Sequence, residues 1–122
     1  MKWKGQMIIS VDDFDKVELR VGTIVEASIN RRARVPAYKL KVDMGPELGV
    51  KGCSAQITVN YTAASLIGRQ ALFVANFAPM RIGDAKSEVR ILGASTTGTG
   101  ERPGKYVLLN VDKPVANGSR VW

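Results

Sequence analysis

The sequence contains no histidine and only one cysteine, Cys53. The lack of histidine excludes Ser-His-Asp triads, His-ligated metal sites and the usual general base near neutral pH. One cysteine can form neither an internal disulfide nor a cysteine cluster for zinc, and a free thiol is typical of a reducing compartment. We therefore expect a non-enzymatic protein of the cytoplasm that carries no metal and no cofactor.

Long hydrophobic runs are also missing. A bilayer-spanning helix needs about 20 apolar residues, and the longest uncharged apolar-rich run, residues 70–80, is interrupted by Asn76 and Pro79. The first ten residues hold an apolar core of only Met7, Ile8 and Ile9, which is too short for a secretory signal. We expect neither membrane insertion nor a secretory leader.

Charge is distributed unevenly along the 122 residues. Lysine and arginine total 18 against 11 aspartates and glutamates, a formal net charge of +7. The first 30 residues carry four basic and five acidic groups, whereas residues 31–122 carry fourteen basic and six acidic groups. A positive surface favours nucleic acid or another polyanion, although it also serves solubility alone. The length fits a single domain, residues 1–122.

Five segments have the alternation or the β-branched content of strands. The clearest begins at Tyr38, because four apolar residues alternate there with charged ones. Gly22, inside the first segment, predicts a bend in that strand. A short helix is predicted between Thr62 as N-cap and Gly68. The predicted strands are residues 17–29, 38–44, 50–57, 70–76 and 87–93, with a loop between the last two.

Three strands, a short helix and two further strands follow one another in this order. It is the order of the OB-fold, a five-stranded Greek-key barrel that often binds oligonucleotides. We therefore predict an all-β OB-fold barrel with a short helix between its third and fourth strands. Residues 1–13 and about 105–122 exceed what the barrel needs, and we interpret them as N- and C-terminal extensions.

The two extensions carry a large share of apolar residues, including both tryptophans. Exposed apolar patches of this kind mark association, so we predict that the extensions form a homodimer interface. The alternative is that they fold back on their own barrel. The predicted interface residues are Trp3, Met7, Ile8, Ile9, Val121 and Trp122.

Four strings together resemble the tRNA-binding OB domain of methionyl-tRNA synthetase C-termini and endothelial-monocyte-activating polypeptide. They are residues 15–24 (DKVELRVGTI), 41–45 (KVDMG), 74–77 (VANF) and 86–88 (KSE). The resemblance covers about residues 14–122. Within that family, two further strings are similar to the CsaA group of small homodimeric export-related chaperones. These are residues 33–40 (ARVPAYKL) and 54–58 (SAQIT).

The resemblance implies a cytoplasmic homodimer on an OB barrel, with dimer contacts from the extensions. It also implies that the protein acts as a chaperone in protein export, binding unfolded preproteins and the export motor SecA. Binding of tRNA is the alternative function. Two departures weaken that alternative: Pro36 stands where tRNA-binding members carry lysine, and Arg90 stands where they carry methionine.

Candidate binding residues lie in and beside the loops that flank the binding face of an OB barrel. The predicted RNA contacts are Arg31, Arg32, Arg34, Lys39, Arg81, Lys86 and Ser87, since basic side chains contact phosphates and a serine hydroxyl hydrogen-bonds to ligands. Phe77 and Met80 are the predicted peptide contacts, because adaptable apolar side chains suit such a role. A solvated basic face is the alternative for the cations. Structural roles are predicted for Asn76 and Glu88, and core positions for Tyr38 and Met44.

Overall fold

Short strands and helices make up most of the described chain. The computed structural model describes residues 7–96 and 105–122. Within these residues, the helices are α1 Val11–Asp15, α2 Gly45–Leu48 and α3 Ala63–Leu66. The strands are β1 Leu19–Ile29, β2 Tyr38–Asp43, β3 Val50–Ala55, β4 Gln70–Val74, β5 Met80–Ile82, β6 Ala85–Ser87, β7 Arg90–Ile91, β8 Gly93–Ser95 and β9 Tyr106–Leu108.

Five strands form one antiparallel sheet in the order β3-β2-β1-β4-β7. Strand β1 belongs to both halves of the sheet, because its first residues pair with β4 and its later residues pair with β2. Thr23 pairs on both sides, opposite Gln70 and Asp43. The register with β2 shifts between Ile24 and Glu26. Strand β1 therefore changes its pairing partner at Thr23, one residue after the bend predicted at Gly22, and its register irregularity lies at Val25.

Strands β3 and β7 close the sheet into a nearly complete barrel. The amide of Glu88 donates to the carbonyl of Gly52 at 2.9 Å, and the amide of Gly52 donates to Glu88 Oε1 at 3.1 Å. A Cβ atom at position 52 would collide with the carbonyl of Lys86, so glycine is needed for this close approach. The architecture matches the predicted OB-fold.

The core lies inside this barrel and follows the strand alternation read from the sequence. In β2 the apolar residues are buried while the lysines between them are half-buried or exposed. Tyr38 and Met44 are core residues, as predicted. Cys53 is fully buried, and burial raises the pKa of its thiol to about 11. The largest fully buried side chains are Phe73, Ile24, Leu40, Met44, Leu66, Val42 and Cys53.

The predicted helix is α3, and its N-terminus is capped as expected. Thr62 Oγ1 accepts from the amide of Ser65 at 3.1 Å, and Ser65 Oγ accepts from the amide of Thr62 at 3.0 Å. This reciprocal pair is a capping box, which satisfies two amides that the helix leaves free. In the described part of the chain, no helix is long and apolar enough to cross a membrane.

The region between the fourth and fifth predicted strands corrects the sequence analysis. Residues expected to form a loop instead form the hairpin β5–β6, whose two-residue turn is Gly83-Asp84. Gly83 has a φ of +56°, which favours glycine in such a turn. The predicted strand at 87–93 is interrupted: Ser87 ends β6, Arg90–Ile91 form β7 and Gly93 begins β8. Residues 88 and 89 instead bond to Gly52.

The C-terminal segment lies along the free edge of β1. The amide of Val21 donates to the carbonyl of Ser119 at 2.9 Å, and the amide of Gly118 donates to the carbonyl of Val21 at 2.7 Å. The amide of Val121 donates to the carbonyl of Leu19 at 2.9 Å. Residues 118–121 therefore fold back on their own barrel, as in the alternative interpretation of the extensions.

Candidate functional site

The hairpin β5–β6 stands between two concave surfaces and presents different chemistry to each. Met80 pairs with Ser87 and Arg81 pairs with Lys86. Successive residues of a strand point to opposite faces, so Met80 and Ser87 share one face while Arg81 and Lys86 share the other. The first face lines an apolar groove and the second a basic one.

The apolar groove has a volume of about 700 Å³ and lies between β3, the hairpin, β7 and β9. Its apolar lining includes Ile57, Phe77, Met80, Ile82, Tyr106 and Leu108. Phe77 and Met80, the predicted peptide contacts, are 53% and 61% exposed. Both side chains are therefore accessible to a ligand. Ser87, predicted as an RNA contact, also lines this groove rather than the basic one.

The basic groove is smaller, about 220 Å³. It brings together three predicted RNA contacts, Lys39, Arg81 and Lys86, and adds Lys41. In the described residues, none of these four has a carboxylate oxygen within 4.0 Å. Asp84 also lines this groove. The result is a patch of four cations suited to an anionic ligand.

The arginines of the loop between β1 and β2 lie outside both grooves. Arg31, Arg32 and Arg34 are exposed, and none of them lines either surface. Arg32 Nε lies 3.5 Å from Asp84 Oδ1 at the hairpin turn. This ion pair directs Arg32 toward the hairpin, whereas Arg31 and Arg34 have no carboxylate oxygen within 4.0 Å in the described part of the chain.

Asn30 holds this loop against the hairpin, and sequence reasoning missed it. It is only 4% exposed. Its Nδ2 donates to the carbonyl of Ile82 at 2.7 Å and to Ser54 Oγ at 3.2 Å. Its Oδ1 accepts from the amide of Asp84 at 2.8 Å. The only signal in the sequence was a lone asparagine before the arginines.

Asn76 and Glu88 have the structural roles that were predicted. Asn76 Nδ2 donates to the carbonyl of Lys16 at 2.7 Å, and its Oδ1 accepts from the amide of Glu18 at 3.0 Å. Glu88 bonds to the amide of Gly52 and lies 3.7 Å from Lys51 Nζ. Both side chains therefore fix neighbouring segments of the barrel.

The predicted dimer residues fall into three groups. Met7, Ile8 and Ile9 are exposed, the first two at 88% and 92%. Trp122 is 85% exposed, with Arg120 stacked 4.9 Å from its ring, whereas Val121 is half-buried against β1. Trp3 lies outside the described residues. The N-terminal residues and Trp122 thus offer apolar surface that the described chain does not cover.

Among the residues that the structure describes, no group of three or more cysteines, aspartates and glutamates is placed to hold an ion. Each groove is lined by one acidic residue, Glu88 in the apolar groove and Asp84 in the basic groove.

Comparisons with known proteins agree with this architecture. The family described as "Putative tRNA binding domain" matches residues 19–120. The crystal structure of chaperone CsaA from Bacillus anthracis is 40% identical, with a TM-score of 0.84, covering 95% of this chain and 100% of that one. The CsaA chaperone protein from Picrophilus torridus is also 40% identical, with a TM-score of 0.82, covering 94% of this chain and 100% of that one.

Longer proteins contain a related segment. A methionine–tRNA ligase of Leptospira interrogans is 40% identical over 106 residues, which are 87% of this chain and 14% of that ligase. The chain spans between 12% and 16% of the length of the ligases that it matches. The chain therefore belongs to the tRNA-binding domain family and is a CsaA-like OB-fold protein within it.

Proposed function

We propose that this protein is a molecular chaperone that binds unfolded segments of other proteins, including preproteins bound for export, in the apolar groove. The observation that carries this proposal is the groove itself, a concavity of about 700 Å³ with Phe77 and Met80 exposed on its lining. Pockets of this size and apolar character are typical of ligand sites. Methionine adapts its shape to different partners, which suits a chaperone with many clients.

The chaperone acts in the cytoplasm as a homodimer and delivers its clients to SecA. Support for the dimer comes from Met7, Ile8 and Trp122, whose apolar side chains are exposed. Isolated apolar surface of this kind is costly in water and is commonly buried by association. The similarity to two CsaA proteins that are named as chaperones supports the client-binding role.

Suppression of client aggregation tests the proposal. A chemically denatured client is diluted into buffer with the protein at one dimer per client, and light scattering is followed. The wild type should suppress scattering, and Met80→Ser with Phe77→Ala should lose most of the effect. Val59→Ser is a matched control, because Val59 is exposed to a similar extent, 56%, and does not line the groove. A wild-type protein without effect on scattering would refute the proposal.

Binding of tRNA is a second candidate, favoured by the basic groove. Lys39, Lys41, Arg81 and Lys86 neutralise phosphates in this reading. Affinity for tRNA should then fall steeply with salt, and Lys86→Ala should reduce the slope of log K against log salt by about one. Lys113→Ala serves as the control, since Lys113 lines neither groove. A salt slope that Lys86→Ala leaves unchanged would place the RNA elsewhere.

A further inference from the structure

Strand β3 has one paired edge and one edge that faces the apolar groove. The paired edge bonds to β2. Gly52 uses its own amide and carbonyl on the opposite side, toward Glu88. Residues of an antiparallel strand alternate between the two edges, so Ser54, two positions later, directs its amide and carbonyl to the same side as Gly52. That side is the groove, which Ser54 lines.

Strand β7, on the other side of the groove, does not pair with this edge of β3. Among the described residues, the last backbone hydrogen bonds on this side of β3 are those that the carbonyl of Gly52 accepts from the amides of Glu88 and Val89, just before β7. In the described part of the chain, Ser54 makes no backbone hydrogen bond on the groove side, and Gln56 makes none at all. Among the residues that the structure describes, the thiol of Cys53, at 3.8 Å, is the one donor that approaches the carbonyl of Ser54. Unpaired strand edges of this kind accept an additional strand.

The charged residues around the groove indicate which charge a bound peptide strand should carry. Two charged residues, Glu88 and Arg90, line it. The carboxylate of Glu88 is already engaged by the amide of Gly52 and by Lys51. Arg90 is exposed, and among the described residues no carboxylate lies within 4.0 Å of it. A ligand carboxylate would complement this cation, whereas a ligand lysine would face repulsion.

We propose that the apolar groove binds its client as an added β-strand, which pairs with the backbone of Ser54 and Gln56 and places an acidic side chain next to Arg90. This inference rests on the proposed function, peptide binding in the same groove, and specifies its mode and its preferred client. Main-chain pairing provides affinity without a fixed sequence, and the groove selects apolar side chains at alternate positions. The favoured client segments are therefore extended, apolar and acidic.

Backbone methylation of a peptide tests the pairing. The probe is a fluorescein-labelled octapeptide in which valine and glutamate alternate, and its affinity is measured by fluorescence anisotropy. Single N-methyl groups are placed at successive residues, each removing one amide donor. Only alternate amides of an added strand face β3, so affinity should fall roughly fivefold to tenfold at every second position. The intervening positions should change it less than about twofold.

Charge exchange tests the partner of Arg90. The wild type should bind the glutamate probe about tenfold more tightly than its lysine counterpart, and Arg90→Glu should reverse this order. Arg69→Glu is the control, because it changes the net charge equally and Arg69 stacks on Tyr61 outside the groove. A lysine probe that binds the wild type as tightly as the glutamate probe overturns the charge assignment.

Three other results overturn the inference and separate it from the proposed function. If the probe binds but N-methylation has no effect, or the same effect at every position, strand addition is wrong while peptide binding stands. If the wild type suppresses client aggregation but binds no octapeptide, the mode is wrong and the chaperone role stands. If a single-stranded RNA binds with dependence on Arg90 and neither peptide nor client binds, the proposed function and this inference fail together.

Discussion

Replacement of Asn30 by alanine is expected to destabilise the whole barrel, although Asn30 lies in a loop. The side-chain amide of Asn30 joins three segments: the loop after β1, strand β3 through Ser54 and the hairpin through Ile82 and Asp84. Alanine removes all of these bonds. It leaves the carbonyl of Ile82 and the amide of Asp84 without their protein partner at a buried position.

The size of the effect follows from the three hydrogen bonds. Each contributes about 0.5–1.5 kcal/mol net, and a buried group left unpaired costs about 1–3 kcal/mol. Water can replace some of the partners at the edge of the loop, so we expect a loss of about 2–4 kcal/mol in the free energy of unfolding. For a domain of this length, that corresponds to a fall in Tm of roughly 10 °C.

Urea unfolding at one fixed protein concentration measures this loss, with the slope m as a check on two-state behaviour. Asn60→Ala is the matched control. Asn60 is exposed and its Nδ2 makes one bond, 3.2 Å to the carbonyl of Tyr106, so its removal should cost less than about 1 kcal/mol. If Asn30→Ala costs no more than Asn60→Ala, the hydrogen-bond argument is wrong.

Three further predictions concern closure of the barrel, the buried thiol and association. Gly52→Ala should lower stability by about 2 kcal/mol or more in urea unfolding, because the new Cβ meets the carbonyl of Lys86; an unchanged midpoint would contradict this. Burial raises the pKa of Cys53 from 9.0 to about 11, so the thiolate forms more readily in the unfolded chain. The stability contributed by the protonated Cys53 thiol should therefore be fully present below pH 9 and be lost as pH rises through 11, and Cys53→Ala should remove this part of the pH dependence in urea unfolding. Ile8→Asp should convert the proposed dimer to monomer in light scattering, since Ile8 is 92% exposed; a mass that stays the same, whether of monomer or dimer, would exclude Ile8 from the interface.

The order of elements and most of the core could be read from the sequence because their signals are local. Alternation in β2 predicted both the strand and its buried face, and the start at Tyr38 was placed correctly. The capping residue Thr62 lies next to the helix that it stabilises. Four of the five predicted strands agree with the structure to within two residues at each end.

The features that were missed depend on residues far apart in the chain. The hairpin β5–β6 is short, and its turn docks against Asn30 and Arg32, more than 50 positions away. Nothing near residue 30 signals that contact. Lys86 and Ser87 line different grooves because successive residues of β6 point to opposite faces, and this strand was not predicted. A sequence gives the types of side chain available for binding, but the hairpin decides which of them share a surface.

Strand β1 pairs with residues 118–121, which the ribosome synthesises much later than β1. Arg20 and Gly118, which bond across this edge, are 98 positions apart. At a synthesis rate of about 5–20 residues per second, the partner emerges about 5–20 seconds after the strand. Contacts of such long range also slow folding in free solution. A protein proposed to shield unfolded chains thus passes, during its own synthesis, through an interval in which its first strand presents an uncovered edge.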